Sequence, residues 1–232
     1  MIRKGLFLSA PFLLIIWAMS AYGWLNVDAD AQVPLHWGLD GQPDRYGSVF
    51  EALIVMPAVF TGVAALLAVF PMIDPRGRNL RRSSSAYLVS WLGIMALLTA
   101  IHVAVVLSAT GRLENDGADV MPQLVGSGVS ILLIAIGNML GKARPNWFFG
   151  IRTPWTLSSD LAWDKTHRVT GRLMVLGGIA MLAAILFLPS SYSFAVILLG
   201  SLVPALFGIA YSYLVWKSDP ARETHSATDE DE

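Results

Sequence analysis

Six long apolar stretches, separated by loops that hold most of the charge, decide what this 232-residue chain can become. They run over 5–25, 50–72, 86–109, 124–140, 172–188 and 194–216. A helix rises about 1.5 Å per residue, so roughly 20 apolar residues cross a ~30 Å hydrocarbon layer. Only 14% of the residues are charged and 55% are hydrophobic, whereas a soluble domain carries about 25% and ~45–50%. This balance excludes a water-soluble globule, a disordered chain, a coiled coil and collagen. The fifth stretch is the shortest, which suggests entry from an earlier helical turn. Arg3 and Lys4 ahead of the first stretch resemble a signal peptide. Its length, and the lack of a small-x-small cleavage site, favour an uncleaved first span.

The basic residues give the orientation, because lysine and arginine accumulate on the cytoplasmic side. Fourteen of the 16 fall in the N-terminus, the second and fourth loops with the start of the fifth span, and the tail. Arg45 and Arg112 alone fall on the other side. The sequence therefore predicts an all-α membrane protein. It is a six-transmembrane-helix bundle with both termini cytoplasmic and a short external turn or hairpin between helices 1 and 2. We divide the chain into a two-helix region (1–85), a four-helix region (86–217) and a disordered acidic tail (218–232). Trp17, Trp24, Trp91 and Trp216 read as interfacial anchors. Gly137-x-x-x-Gly141 and Gly208-x-x-x-Ser212 allow close helix approach.

A net charge of −1 gives no basic face for direct nucleic-acid binding. The absence of cysteine removes disulfides, thiolate metal sites and cysteine nucleophiles. No zincin, nucleophile-elbow, P-loop or dinucleotide motif occurs. We expect no cofactor, no metal and no catalysis.

The external loop is punctuated by Pro34, Pro43 and the turn signal Asp40-Gly41. His36, Asp40 and Asp44 are residue types that ligate metals. Turn chemistry accounts for them as well, with Asp40 bonding local backbone and Asp44 pairing with Arg45. The internal fourth loop, 141–171, mixes aromatic and basic residues. Pro145 and Pro154 should break helix there, and Ser158 or Ser159 should cap a new one with Asp160 in its first turn. On that helix Trp163, His167 and Thr170 share a face, and Asp164 and Arg168 stand at i,i+4. The loop reads either as an interfacial segment or as a shaped site built by Asn146, Arg152, Trp155, Trp163, His167 and Arg168. His102 is the one clearly intramembrane ionisable residue. It serves either as an interhelical hydrogen-bonding group or, with Gly126, Ser127, Gly128 and Asn138, as part of a solute path.

The run from Asn138 through Asn146-Trp147-Phe148-Phe149-Gly150-Ile151-Arg152-Thr153-Pro154-Trp155 to Leu157 is followed by Trp163 and Thr166-His167-Arg168. It resembles the signature of the SdpI family of bacterial membrane proteins. Pro34-Leu35-His36-Trp37-Gly38 and Gly41-Gln42-Pro43-Asp44-Arg45-Tyr46-Gly47-Ser48, with Asp74-Pro75 and Asn79, resemble the uncharacterised N-terminal domain that commonly precedes it. The resemblance implies a multi-pass protein of the bacterial plasma membrane. It implies immunity to a secreted, membrane-active peptide toxin, and signalling by sequestering a soluble transcriptional repressor at the cytoplasmic face. It supplies no catalytic residues. The partner-binding candidates are His36, Trp37, Gly41 and Asp44 outside, and Asn138, Asn146, Arg152, Thr153, Pro154, Trp155, Trp163, Thr166, His167 and Arg168 inside, beside the lipid bilayer itself. The alternatives are a small-solute transporter or permease, and a metal-dependent membrane enzyme using His36 with Asp44 or Asp164 with His167.

Overall fold

Small residues along the first apolar stretch set how the bundle assembles. In a computed structural model describing residues 1–113, 118 and 120–221, α1 (Ile2–Asn26) buries Gly5, Ser9, Ile16, Ser20 and Gly23. These lie three to seven residues apart and form one stripe. A Cβ at Gly5 would overlap the Trp91 ring, and one at Gly23 would crowd Leu53 and Val106. Glycine at both positions lets α1 lie against its neighbours at backbone distance. The outer faces stay apolar: Phe7, Leu25 and Phe187 are 78%, 83% and 84% exposed. Exposed apolar surface on this scale is suited to lipid.

The order is α1, a hairpin of β1 (Gln32–Trp37) and β2 (Pro43–Ser48), then a π-helical turn at Glu51–Val55 running into α2 (Met56–Ile73). Then come the short α3 (Gly77–Arg82), α4 (Ser84–Ala109), α5 (Val120–Leu140), the one-turn α6 (Pro154–Ser158), α7 (Asp160–Phe187) and α8 (Ser193–Lys217). Six helical segments are long and apolar enough to cross a membrane: Ile2–Asn26, Glu51–Ile73, Ser84–Ala109, Val120–Leu140, Asp160–Phe187 and Ser190–Lys217. The six-span expectation holds. The fifth span is the longer one that its short apolar stretch hinted at, since α7 starts at Asp160 without a break. Ser159 caps it as expected, its side chain accepting from the Ala162 amide at 2.9 Å.

Three expectations change. Pro154 begins a helical turn rather than ending one. It occupies the first position of α6, where its missing N–H is no loss, and Thr153 and Thr156 close a reciprocal cap around it. Trp91 is fully buried against Gly5 and is not an interfacial anchor. Asp44 does not pair with Arg45: neighbouring strand residues point to opposite faces, so Asp44 reaches His36 and Arg45 reaches Glu51.

One cluster of the core joins Ile16, Phe60, Leu80, Tyr87, Trp91, Leu140, Phe149 and Trp163. It therefore unites residues from both sides of position 85. A second, with Val33, Leu53, Val105, Val106 and Met121, lies beneath the hairpin. Close crossings pin α7 to its neighbours. A Cβ at Gly137 would stand 2.6 Å from the Gly171 carbonyl, and one at Gly208 would stand 2.7 Å from Thr170 Oγ1. Both small-x-x-x-small stripes thus serve contacts within the chain. The tail beyond Ala221 lies outside the described residues.

Candidate functional site

The candidate residues separate into two clusters at opposite ends of the bundle. At one end the hairpin turns at Asp40-Gly41. Asp40 Oδ1 accepts from the Gln42 amide at 3.0 Å, and Gly41 adopts φ +79°, a backbone conformation that favours glycine. Gly41 also packs close to Pro122 and the Ala118 carbonyl, so its turn rests on the start of α5. His36 Nδ1 and Asp44 Oδ1 are 2.6 Å apart and exposed. Beneath the hairpin is an apolar pocket of about 340 Å³ whose walls include Trp37, Leu39, Met121 and Phe194. Among the described residues, no three histidine or acidic side chains converge as metal ligands would.

At the other end the fourth loop is organised from within. Asn146 is fully buried. Its Oδ1 accepts from the Phe148 and Phe149 amides at 3.0 and 2.7 Å, and its Nδ2 donates to the Arg144 and Phe149 carbonyls at 2.8 and 3.1 Å. One side-chain amide thereby replaces the backbone partners that a tight loop lacks. Gly150 follows with φ +110°, and a Cβ there would overlap His167 Nε2. That nitrogen accepts from the Ile151 amide at 2.9 Å, while His167 Nδ1 donates to the Trp163 carbonyl at 2.7 Å. The two bonds assign the proton to Nδ1. Trp163 stacks on the imidazole with centroids 4.0 Å apart and donates from Nε1 to the Ala143 carbonyl at 2.8 Å. Thr153 Oγ1 lies 3.0 Å from Ser212 Oγ on α8.

The second loop docks on this assembly. Asp74 Oδ1 accepts from the Arg76 amide at 2.7 Å, and its Oδ2 from the Trp147 amide at 3.2 Å. Asn79 donates to the Pro145 carbonyl at 3.0 Å, and Ser83 Oγ accepts from the Arg144 amide at 2.8 Å. Phe70 and Phe148 stack at 4.7 Å. Ser159, the cap of α7, donates to Asp219 just beyond α8. Asp74, Asn79, Ser83, Thr156 and Ser159 thus join the site beside the residues expected from sequence. The Asp74-Pro75 and Asn79 positions carried a signal as part of the family pattern, but no local spacing shows that Asp74 meets Trp147.

The expected residues therefore take two roles. Asn146, Thr153, Trp163, Thr166 and His167 are buried. Asn138, Arg152, Pro154 and Arg168 are exposed, and Trp155 is half-buried against Tyr213 at 5.1 Å. Arg152 Nη1 donates to the Trp147 carbonyl at 2.6 Å, which holds the guanidinium against the loop. Arg168 pairs with Asp164 at 2.8 Å. Both partners are about half exposed, so the pair contributes about 0.3–0.5 kcal/mol.

His102 bridges helices, its Nε2 standing 2.8 Å from Ser20 Oγ on α1. Three residues of the solute-path reading point to different surroundings. Gly126 abuts Ile185 on α7, Gly128 abuts Leu97 on α4, and Asn138 is on the exposed face of α5.

Six spans, a hairpin at one end and a self-capped loop at the other define a multi-pass membrane protein. Comparison with known proteins finds likenesses to parts of the chain. Residues 142–212 match the SdpI/YfhL protein family, and residues 12–61 match a domain of unknown function, DUF1648. The chain is thus a multi-pass membrane protein, one segment of which is similar to the SdpI/YfhL family. It is 22% identical over 186 residues to the Immunity protein SdpI of Bacillus subtilis (strain 168), across 80% of this chain and 84% of that protein. No solved structure matches it.

Proposed function

We propose that this protein confers immunity on the bacterium that carries it, by meeting a secreted membrane-active peptide toxin at the hairpin end. The observation that carries the reading is the similarity to an immunity protein over most of both chains. The hairpin end supports it with an apolar pocket beneath Trp37 and Leu39, of a kind suited to apolar side chains. The hairpin end faces outward in this reading and the self-capped loop faces the cytoplasm, where the positive-inside rule puts 14 of 16 basic residues. At that inner end Arg152, Pro154 and Arg168 offer an exposed basic face. A soluble repressor with a complementary acidic patch would be held there.

The test is survival. A peptide-sensitive host expressing the protein should outgrow its parent under challenge with a secreted membrane-active peptide. Leu39→Asp should reduce the protection, because a carboxylate on the pocket rim repels an apolar ligand without disturbing the buried core. Equal survival of expressing and parent cells sinks the immunity reading. Full protection by Leu39→Asp removes the pocket from it. The repressor arm is read separately, as movement of a DNA-binding protein into the membrane fraction on challenge.

A further inference from the structure

Directly beneath the self-capped loop is a second pocket, of about 400 Å³, enclosed by α2, α4, α5, α7 and α8 with residues 148–151 as its lid. It is in the size range of small-ligand sites, ~300–1,000 Å³. Its walls are largely apolar, but two of its residues carry unsatisfied polar atoms. Trp91 and Thr170 are 0% and 1% exposed. Neither Trp91 Nε1 nor Thr170 Oγ1 has a hydrogen-bond partner among the described residues. The Cε3–Cζ3 edge of Trp91 lies against Gly5 on α1, which turns the Nε1 edge away from α1. A buried donor without a partner is costly, most of all inside a bilayer.

Depth identifies the occupant. The pocket is lined from Tyr87 to Ile94 on α4, which begins at Ser84. At ~1.5 Å per residue this runs from about 5 to about 15 Å along the helix. It is also lined by Leu140, the last residue of α5. The pocket therefore starts near the polar boundary of the leaflet on the loop side and descends into hydrocarbon. A phospholipid presents its groups in that order: ester carbonyls at the boundary, then an apolar chain. We propose that this pocket holds one acyl chain of a membrane phospholipid, with an ester carbonyl accepting from Trp91 Nε1, and that the bound chain supports the lid formed by Phe148, Phe149, Gly150 and Ile151.

This proposal does not depend on the immunity reading. It is tested on the full chain purified in detergent with added palmitoyl-oleoyl phosphatidylglycerol, by native mass spectrometry and by NMR of 15N-labelled tryptophan indoles. One phospholipid per chain should survive activation in the wild type. Trp91→Phe, which keeps the ring and removes the donor, should weaken retention about tenfold. Ser201→Phe, which fills the pocket from α8, should abolish it. The Trp91 indole N–H resonance should move downfield when the lipid is added, as the donor gains an acceptor. Equal retention by wild type and both variants overturns the proposal. So does rapid exchange of that N–H with water in the lipid-loaded protein, which would mark a hydrated pocket.

Discussion

Asn146→Ala should loosen the fourth loop more than any other single truncation there. It orphans the Phe148 and Phe149 amides and the Arg144 and Phe149 carbonyls together, all bonded to this one side chain. An unsatisfied buried group costs about 1–3 kcal/mol. Partial relaxation toward solvent lowers the sum, and a loss on the order of 4 kcal/mol is expected. Asn146→Asp should be no milder, since it sets an oxygen against two carbonyl oxygens. Limited trypsinolysis after Arg152 checks this locally, and thermal unfolding in detergent checks it globally. The opening of the loop should make cleavage at least tenfold faster. Unchanged cleavage in both variants would show that the Asn146 bonds do not hold the loop.

Gly150→Ala should be nearly as severe, by a different route. Its φ of +110° is a conformation that L side chains rarely adopt, and the new methyl group would overlap the His167 nitrogen that accepts the Ile151 amide. Backbone strain of about 1–3 kcal/mol adds to overpacking of similar size. His167→Ala alone orphans the Ile151 amide, while the Trp163 carbonyl keeps its helical partner within α7. The double variant removes the ring that the methyl group strikes, so the two losses should fall short of their sum by at least 1 kcal/mol. Strict additivity in a double-mutant cycle would place the strain elsewhere.

The parts legible in the sequence are those that depend on neighbours along the chain. Apolar length gave the spans, Asp40-Gly41 gave the hairpin turn, Ser159 gave the cap of α7, and i,i+4 spacing gave the Asp164–Arg168 pair. What escaped depends on partners far away in the chain. Trp91 and Trp24 look alike in sequence, yet Gly5 makes room for one inside the bundle while the other stays 53% exposed. Asn146 and His167 look like ligands on a polar loop. Their bonds to the loop backbone, and the Asp74–Trp147 contact across 73 residues, become visible only when the loop has closed.

The inward use of the signature residues has a consequence for ionic strength. Asn146, Thr153 and His167 direct their polar atoms into the loop itself, which leaves mainly Arg152 and Arg168 to face outward. A partner on this face meets guanidinium charge more than a pattern of directed neutral hydrogen bonds. Charge at an exposed surface is felt over about 10 Å at 0.1 M salt and about 3 Å at 1 M. Docking on this end of the bundle would therefore form fast, loosen as salt rises, and tolerate substitutions in the partner that conserve its negative charge.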